Sequence, residues 1–262
     1  MTGRLAGKVA FITGAGAGGI GSASAVLFAR EGAKIVVCDI HQGRGEATVE
    51  LVRQAGGEAL LTRADVTSDE QMREAVQRAV AQFGALHVVF CTAGGSIPAD
   101  DFVSVVDLAV FEHTMRLDLL GTIHACRYAI PEIIKAGGGA VVNMSSGAAL
   151  RGASHSHIYT AAKGGIIAMT RAMAGAYARQ NVRVNAIAAG RVHTQRNLDT
   201  IGTPERPGPM VDRQDAAGRV RDYPFWVGQP IDIANVALFL ASDESRMISG
   251  ATIPADGGRS SY

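Results

Sequence analysis

The sequence has little of what would mark a membrane, secreted or nucleic-acid-binding protein. No run of 18 apolar residues occurs, and the opening M-T-G-R-L-A-G-K-V-A has no signal-type apolar region, so a cytoplasmic protein with no membrane partner is expected. There are only three cysteines, Cys38, Cys91 and Cys126, with no C-x-x-C pair. That excludes a disulfide framework and predicts buried free thiols in a reducing compartment. Net charge is +1 with acids and bases interleaved, which offers nothing to nucleic acid or an anionic surface. The seven histidines never pair at i, i+4 with an acid, so no metal site is expected.

What is present is glycine, 32 residues of it, in a chain of 262 that is 47% hydrophobic and 19% charged. That profile suits one large α/β domain with a sizeable core and many short turns. Apolar runs at 8–13, 34–39, 58–61, 86–91, 140–144, 182–187 and 251–254 read as strands. Between them lie amphipathic stretches: from the glycine turn to about 31, then 45–55, 69–83, 107–135, 156–180 and 231–240. Ser68 is the expected N-cap of the 69–83 helix, with Gln71 at its third position, and Gly137 to Gly139 stop the 107–135 helix. Glycine-bounded strands alternating with helices imply a parallel sheet covered on both faces. No repeat or linker divides residues 1–262. The segment 196–229 breaks the rhythm with Pro204, Pro207, Pro209 and Pro224, and is expected to be a substrate lid.

Two stretches carry chemistry. Residues 13–21, T-G-A-G-A-G-G-I-G, join the first strand to the first helix, where glycines let backbone N–H groups approach a pyrophosphate at a helix N-terminus. Asp39 closes the next strand, completing the context of a dinucleotide fingerprint. Its carboxylate can accept the ribose hydroxyls and repels a 2′-phosphate, and the turn has no Arg or Lys, which favours NAD over NADP. The second stretch is N-M-S-S-(x)12-Y-T-A-A-K. Tyr159 and Lys163 share one helix face, so the ammonium favours the phenolate and suits Tyr159 to proton transfer, with Ser146 thirteen positions before it.

Taken in order, the glycine turn, Asp39, Ser146, Tyr159 and Lys163 resemble the short-chain dehydrogenase/reductase family, across essentially the whole chain. Asp65-Val66, Ala93-Gly94, the 185–190 turn followed by Thr194, and Asp256-Gly-Gly258 match further family segments. The resemblance implies a Rossmann-like doubly wound sheet of about seven strands, order 3-2-1-4-5-6-7. It implies cofactor contacts by Gly14, Ala17, Gly19, Ile20, Asp39, Ile40, Asp65, Val66, Cys91, Ala93, Gly94, Met144, Gly190, Val192 and Thr194, together with Tyr159 and Lys163. It also implies that Tyr159 passes a proton to or from the substrate oxygen as hydride moves between carbon and nicotinamide. Ser146 steadies that oxygen, ahead of the competing Ser145 because only Ser146 has the family spacing. Lys163 tunes Tyr159 and holds the nicotinamide ribose. Family members are usually tetramers built through helices near 107–135 and 156–180, whose small residues Ala161, Ala162, Gly164 and Gly165 permit close packing; a homotetramer is expected, a dimer being the alternative.

Four departures stand out. The glycine turn has one extra residue, Cys91-Thr92 replaces Asn-Asn, and Ala189 replaces a Pro. Asp118 stands where the family carries its fourth catalytic residue, an Asn whose backbone carbonyl holds a water in the relay to Lys163. A carboxylate there would raise the Lys163 pKa and weaken its pull on Tyr159, or Asp118 is protonated and mimics Asn. Ser96, Leu150, His155, Arg191 and Arg196 fall in segments lining the family's substrate cleft, and Phe225 and Trp226 would suit a ring-shaped or apolar substrate. The leading reading is an NAD-dependent oxidoreductase acting on a secondary alcohol or ketone of steroid, cyclic or 3-hydroxyacyl type. An NADPH-linked 3-oxoacyl reductase, disfavoured by Asp39, and a catalytically decayed NAD-binding regulatory protein, disfavoured by the intact Ser146, Tyr159 and Lys163, are the alternatives.

Overall fold

The computed structural model describes residues 3–152, 154–203, 206–207 and 225–261. Seven parallel strands form one sheet: β1 (Val9–Thr13), β2 (Lys34–Asp39), β3 (Ala59–Arg63), β4 (Val88–Cys91), β5 (Gly139–Ser146), β6 (Val182–Ala189) and β7 (Thr252–Ala255). Their order is 3-2-1-4-5-6-7, the expected Rossmann-like arrangement. The helices are α1 (Ile20–Arg30), α2 (Gln42–Gln54), α3 (Asp69–Phe83), α4 (Leu108–Thr114), α5 (Gly121–Lys135), α6 (His157–Tyr177), α7 (Gln195–Ile201) and α8 (Pro230–Ala241). Among the described residues, no helix is long and apolar enough to cross a membrane.

Every residue of β1 and β4 is buried, because both sheet faces are covered and a central parallel strand meets no water. Successive side chains of β1 alternate between two cores. Ala10 and Ile12 pack with Phe28 of α1 and Leu238 of α8. Val9 and Phe11 pack with Met72 of α3 and Ala129 and Ile133 of α5. The chain reverses direction across the sheet at β1 and β4, and this switch point opens a crevice at the strands' C-terminal ends.

Some boundaries differ from the sequence expectation for identifiable reasons. β5 runs two residues further, because Ser145 and Ser146 stay extended and pair with Ala188 and Ala189 of β6. β3 reaches Arg63 by pairing with β2 as far as Asp39, its polar end being tolerated at the sheet edge. The expected 107–135 helix is interrupted by a π-helical turn at Met115–Leu120, which carries Asp118. Helix α3 begins as expected, with Ser68 accepting from Gln71 N, and ends at left-handed Gly84, φ 81°. Of the expected 196–229 lid, residues 204–205 and 208–224 lie outside the described residues.

Candidate active site

The crevice is a cleft of about 460 Å³ running from the glycine turn to the ends of β5, β6 and β7. At the nucleotide end, Gly14 has φ 62°, and a Cβ on it would lie 2.7 Å from the Ala93 backbone, so no other residue fits. Gly19 caps α1 without any side-chain hydrogen bond, and the first turn of α1 has no acid. The first N–H groups of α1 therefore remain for an anion. Asp39 lines the cleft and braces the turn: Oδ2 accepts Gly16 N at 2.7 Å and Oδ1 accepts His41 N at 2.9 Å. Arg44, the nearest cation, donates to the Ala17 carbonyl at 2.8 and 3.2 Å.

Gly14, Gly19, Ile20, Asp39, Ile40, Asp65 and Val66 line this end, and Ala93, Gly94, Met144, Gly190, Val192 and Thr194 continue the wall. Ala17 and Cys91 do not. Ala17 is drawn toward Arg44 by its carbonyl. Cys91 is buried at the end of β4, where its hydrogen bond with Cys126 and the loss of water push its thiol well above the usual range. Thr92, noted in the sequence only as a departure from the family pattern, ties the central strands: its hydroxyl donates to the Thr13 carbonyl, and Thr13 Oγ1 accepts Thr92 N and Ala93 N.

At the other end, Ser146 is the last residue of β5, Tyr159 lies in the first turn of α6, and Lys163 follows one turn on; all three line the cleft. Asp100, buried and missed from sequence, fixes the start of α6 by accepting Ile158 N at 3.1 Å and Tyr159 N at 2.7 Å. Ser146 Oγ accepts Ala148 N at 3.2 Å, while Ser145 Oγ turns away to donate to the Lys163 carbonyl at 2.9 Å. Both serines line the cleft, but their hydroxyls have different partners.

Lys163 Nζ donates to the Met144 carbonyl at 3.1 Å, sits 5.5 Å from the Tyr159 ring centroid, and meets Asp118 Oδ1 at 2.9 Å. Burial alone would lower the Lys163 pKa, but Asp118 and Tyr159 outweigh it and hold the ammonium above the ordinary lysine range. Asp118 is fully buried, its Oδ1 also accepts Gly95 N at 2.9 Å, and its Oδ2 has no hydrogen-bond partner. Its backbone carbonyl accepts the Thr122 hydroxyl at 2.8 Å.

Of the candidate substrate residues, Ser96, Arg191 and Arg196 line the cleft, and Leu150 and His155 do not. Leu150 points outward and its neighbour Arg151 lines the wall instead. His155 packs on Phe102, ring centroids 4.6 Å apart, and leaves the wall to Ser154 and Ser156. Arg196 donates to the carbonyls of Gly94, Gly95 and Ser96 at 2.5, 2.8 and 2.7 Å. Among the described residues, no three His, Cys, Asp or Glu side chains gather as metal ligands.

A Rossmann-like sheet whose crevice gathers Ser146, Tyr159 and Lys163 defines a dinucleotide-using oxidoreductase. A family model described as Enoyl-(Acyl carrier protein) reductase matches residues 14–260. The chain is 37% identical to 2,5-dichloro-2,5-cyclohexadiene-1,4-diol dehydrogenase of Sphingobium indicum, over 98% of each chain. It is 33% identical to cyclohexanol dehydrogenase of an Acinetobacter species, over 100% of this chain and 98% of the relative. Carveol dehydrogenase from Mycobacterium avium, solved in complex with NAD, superimposes with a TM-score of 0.89 at 32% identity, covering 98% of this chain and 99% of the other. The chain belongs to the short-chain dehydrogenase/reductase family and is an enzyme acting on CH–OH groups.

Proposed function

We propose that the chain interconverts a cyclic secondary alcohol and its ketone using NAD, with Tyr159 as general acid and base. The observation that carries this reading is the Lys163 ammonium 5.5 Å from the Tyr159 ring, in the cleft that Ser146 also lines. The named relatives act on ring alcohols, which supports the ring.

The residues fit NAD. The uncapped start of α1 leaves N–H donors for a pyrophosphate. Asp39 lines the ribose end and would repel a 2′-phosphate, while Arg44 is occupied by the Ala17 carbonyl. Gly14, Gly19, Ile20, Ile40, Asp65, Val66, Ala93, Gly94, Met144, Gly190, Val192 and Thr194 would complete the contacts. When bound, the nicotinamide accepts or supplies the hydride.

The chain's own residues manage the proton. Tyr159 takes it from the alcohol oxygen or returns it to the ketone. Ser146 donates a hydrogen bond to that oxygen as its charge develops. Lys163 fixes positive charge beside the phenol, and Asp118 shares that charge. Asp100 holds the α6 turn that presents Tyr159.

The 196–229 segment of this single domain would close over the substrate. In support, Arg196 lines the cleft and Trp226, near the segment's other end, stacks on cleft-lining Arg259. A homotetramer fits the exposed Val103, Val105, Leu108 and Phe111 on and before α4. Of the small residues on α6, Ala161 and Gly164 remain at the surface, whereas Ala162 is buried and Gly165 packs on Leu119. Three free thiols suit the cytoplasm. The test is to supply NAD and cyclohexanol and follow reduced nicotinamide: steady formation supports the reading, and silence over a broad panel of ring alcohols with NAD bound refutes it.

A further inference from the structure

After β6 the chain turns back over the cleft. Arg191 and Val192 pair with Val227 and Gly228, and His193 N donates to the Gly228 carbonyl at 2.9 Å, which pins one end. Thr194 Oγ1 then accepts Asn197 N at 3.1 Å and starts α7, while Asn197 Nδ2 donates to the Val192 carbonyl at 2.8 Å. The far end meets the glycine turn, where Gln195 N donates to the Gly18 carbonyl at 2.9 Å. Residues 193–197 thus form a strap from β6 to the turn after β1, three strand positions away and about 14 Å at the usual spacing. We propose that Arg196 is the latch of this strap, a positioning residue that sets how fast the cofactor enters and leaves. This rests on reading the cleft as a nicotinamide-dependent dehydrogenase site.

The strap lies across the cofactor's path. A dinucleotide reaching from Asp39 at the end of β2 to Ser146 at the end of β5 crosses β1 and β4, the strands over which the strap also runs. Gly18, Thr194, Arg196 and Asn197 line that same cleft. The cofactor must therefore slip between the strand ends and the strap.

Arg196 fastens the strap to the loop after β4, giving its guanidinium to the carbonyls of Gly94, Gly95 and Ser96. The loop is shaped to receive it. Gly94 and Gly95 have φ 127° and 138°, and a Cβ on Gly95 would collide with the guanidinium. The loop is also held from behind: the Gly94–Gly95 peptide turns its carbonyl to Arg196 and its N–H to Asp118 Oδ1 at 2.9 Å. That peptide is planar, so it cannot swing away from Arg196 without leaving Asp118. The latch contacts and the Gln195–Gly18 bond are all made to the chain's own backbone, so they oppose opening whether or not cofactor is bound. Such a gate slows entry and exit alike and leaves affinity nearly unchanged.

The test is stopped-flow binding of NADH to the full-length chain, followed by nicotinamide fluorescence, for wild type, Arg196→Gln and Arg196→Lys. Arg196→Gln should raise the association and dissociation rate constants together, each by at least about tenfold, the worth of one hydrogen bond to a charged group. The Kd should then change by less than about threefold, since both rates scale with the open fraction. Arg196→Lys, a point charge in place of a planar fork, should fall between the two. Hydrogen exchange gives a second reading on the wild type alone, so it decides even if the glutamine variant misfolds. The Gln195 and Leu198 amides, bonded to Gly18 and Thr194, should exchange slowly; free exchange overturns the proposal. Unchanged NADH rate constants in Arg196→Gln also overturn it. So does a rise in dissociation alone, because Arg196 would then hold the bound cofactor rather than gate it. A chain with the expected NADH kinetics that oxidises no alcohol refutes the dehydrogenase reading and supports the latch.

Discussion

Asp118 Oδ1 lies 2.9 Å from Lys163 Nζ, with the two side chains 0% and 3% exposed. An ion pair so fully removed from water depends on both partners, because each would otherwise be an uncompensated buried charge. Asp118→Ala should therefore destabilise the fold by about 3–5 kcal/mol, read as a lower urea midpoint at neutral pH. Asp118→Asn keeps an acceptor for Gly95 N and should cost less. Equal stability of wild type and Asp118→Ala would mean the pair is not buried in solution.

The same pair sets an alkaline limit. The folded Lys163 pKa is raised above the ordinary 10.5, so the folded state holds its proton more tightly than the unfolded chain does. The stabilisation is complete below the unfolded value and is lost as pH rises through the folded one. Alkaline unfolding of Asp118→Asn should begin at lower pH than that of wild type, as circular dichroism along a pH titration would report.

The opposite sign holds at His87. Its Nδ1 accepts Val9 N at 3.0 Å, and burial, followed by the nearby Lys8, lowers its pKa below the usual 6.5. The unfolded chain then binds the proton more readily, so stability is present above about 6.5 and falls as pH drops through the folded value. His87→Gln should flatten that slope; an unaltered pH dependence of the urea midpoint would count against it.

Asp39 serves two purposes, bracing Gly16 N at 2.7 Å and lining the cleft where the ribose would lie. Asp39→Ala should lower the NAD to NADP ratio of kcat/KM by at least about tenfold and raise the KM for both. A ratio that stays put would remove the carboxylate from cofactor discrimination.

The residues legible in the sequence were those whose meaning is local. The glycine turn announces itself because Gly14 needs both a positive φ and the absence of a Cβ. Tyr159 and Lys163 sit one helical turn apart, so their proximity follows from periodicity alone. The Asp118–Lys163 contact was readable only through the family register, since 45 positions separate the two and a π-helical turn orients the first. What sequence could not show depends on sheet order. Arg151 and Arg259 line the same cleft as the expected Arg191 because β5, β6 and β7 are neighbours, and Asp100 reaches Tyr159 N across 59 positions. Leu150 and His155 illustrate the converse: a loop can be placed beside the cleft from sequence, but which of its side chains faces inward is decided by packing, here of His155 on Phe102.

Tyr159→Phe removes the hydroxyl that would carry the proton and leaves the ring. Turnover of cyclohexanol with NAD should fall about 10²–10⁴-fold with the circular dichroism spectrum unchanged. A loss below about tenfold would transfer the proton to another group.

The most direct test of how this site works is the pH dependence of kcat/KM for NAD-dependent oxidation of cyclohexanol, measured for wild type and Asp118→Asn. Without the carboxylate, the Lys163 charge acts undivided on the Tyr159 phenol 5.5 Å away, so the rise of activity with pH should move to lower pH in the variant. Superimposable profiles would contradict the account, because the Asp118 charge would then have no hold on the proton-transfer step.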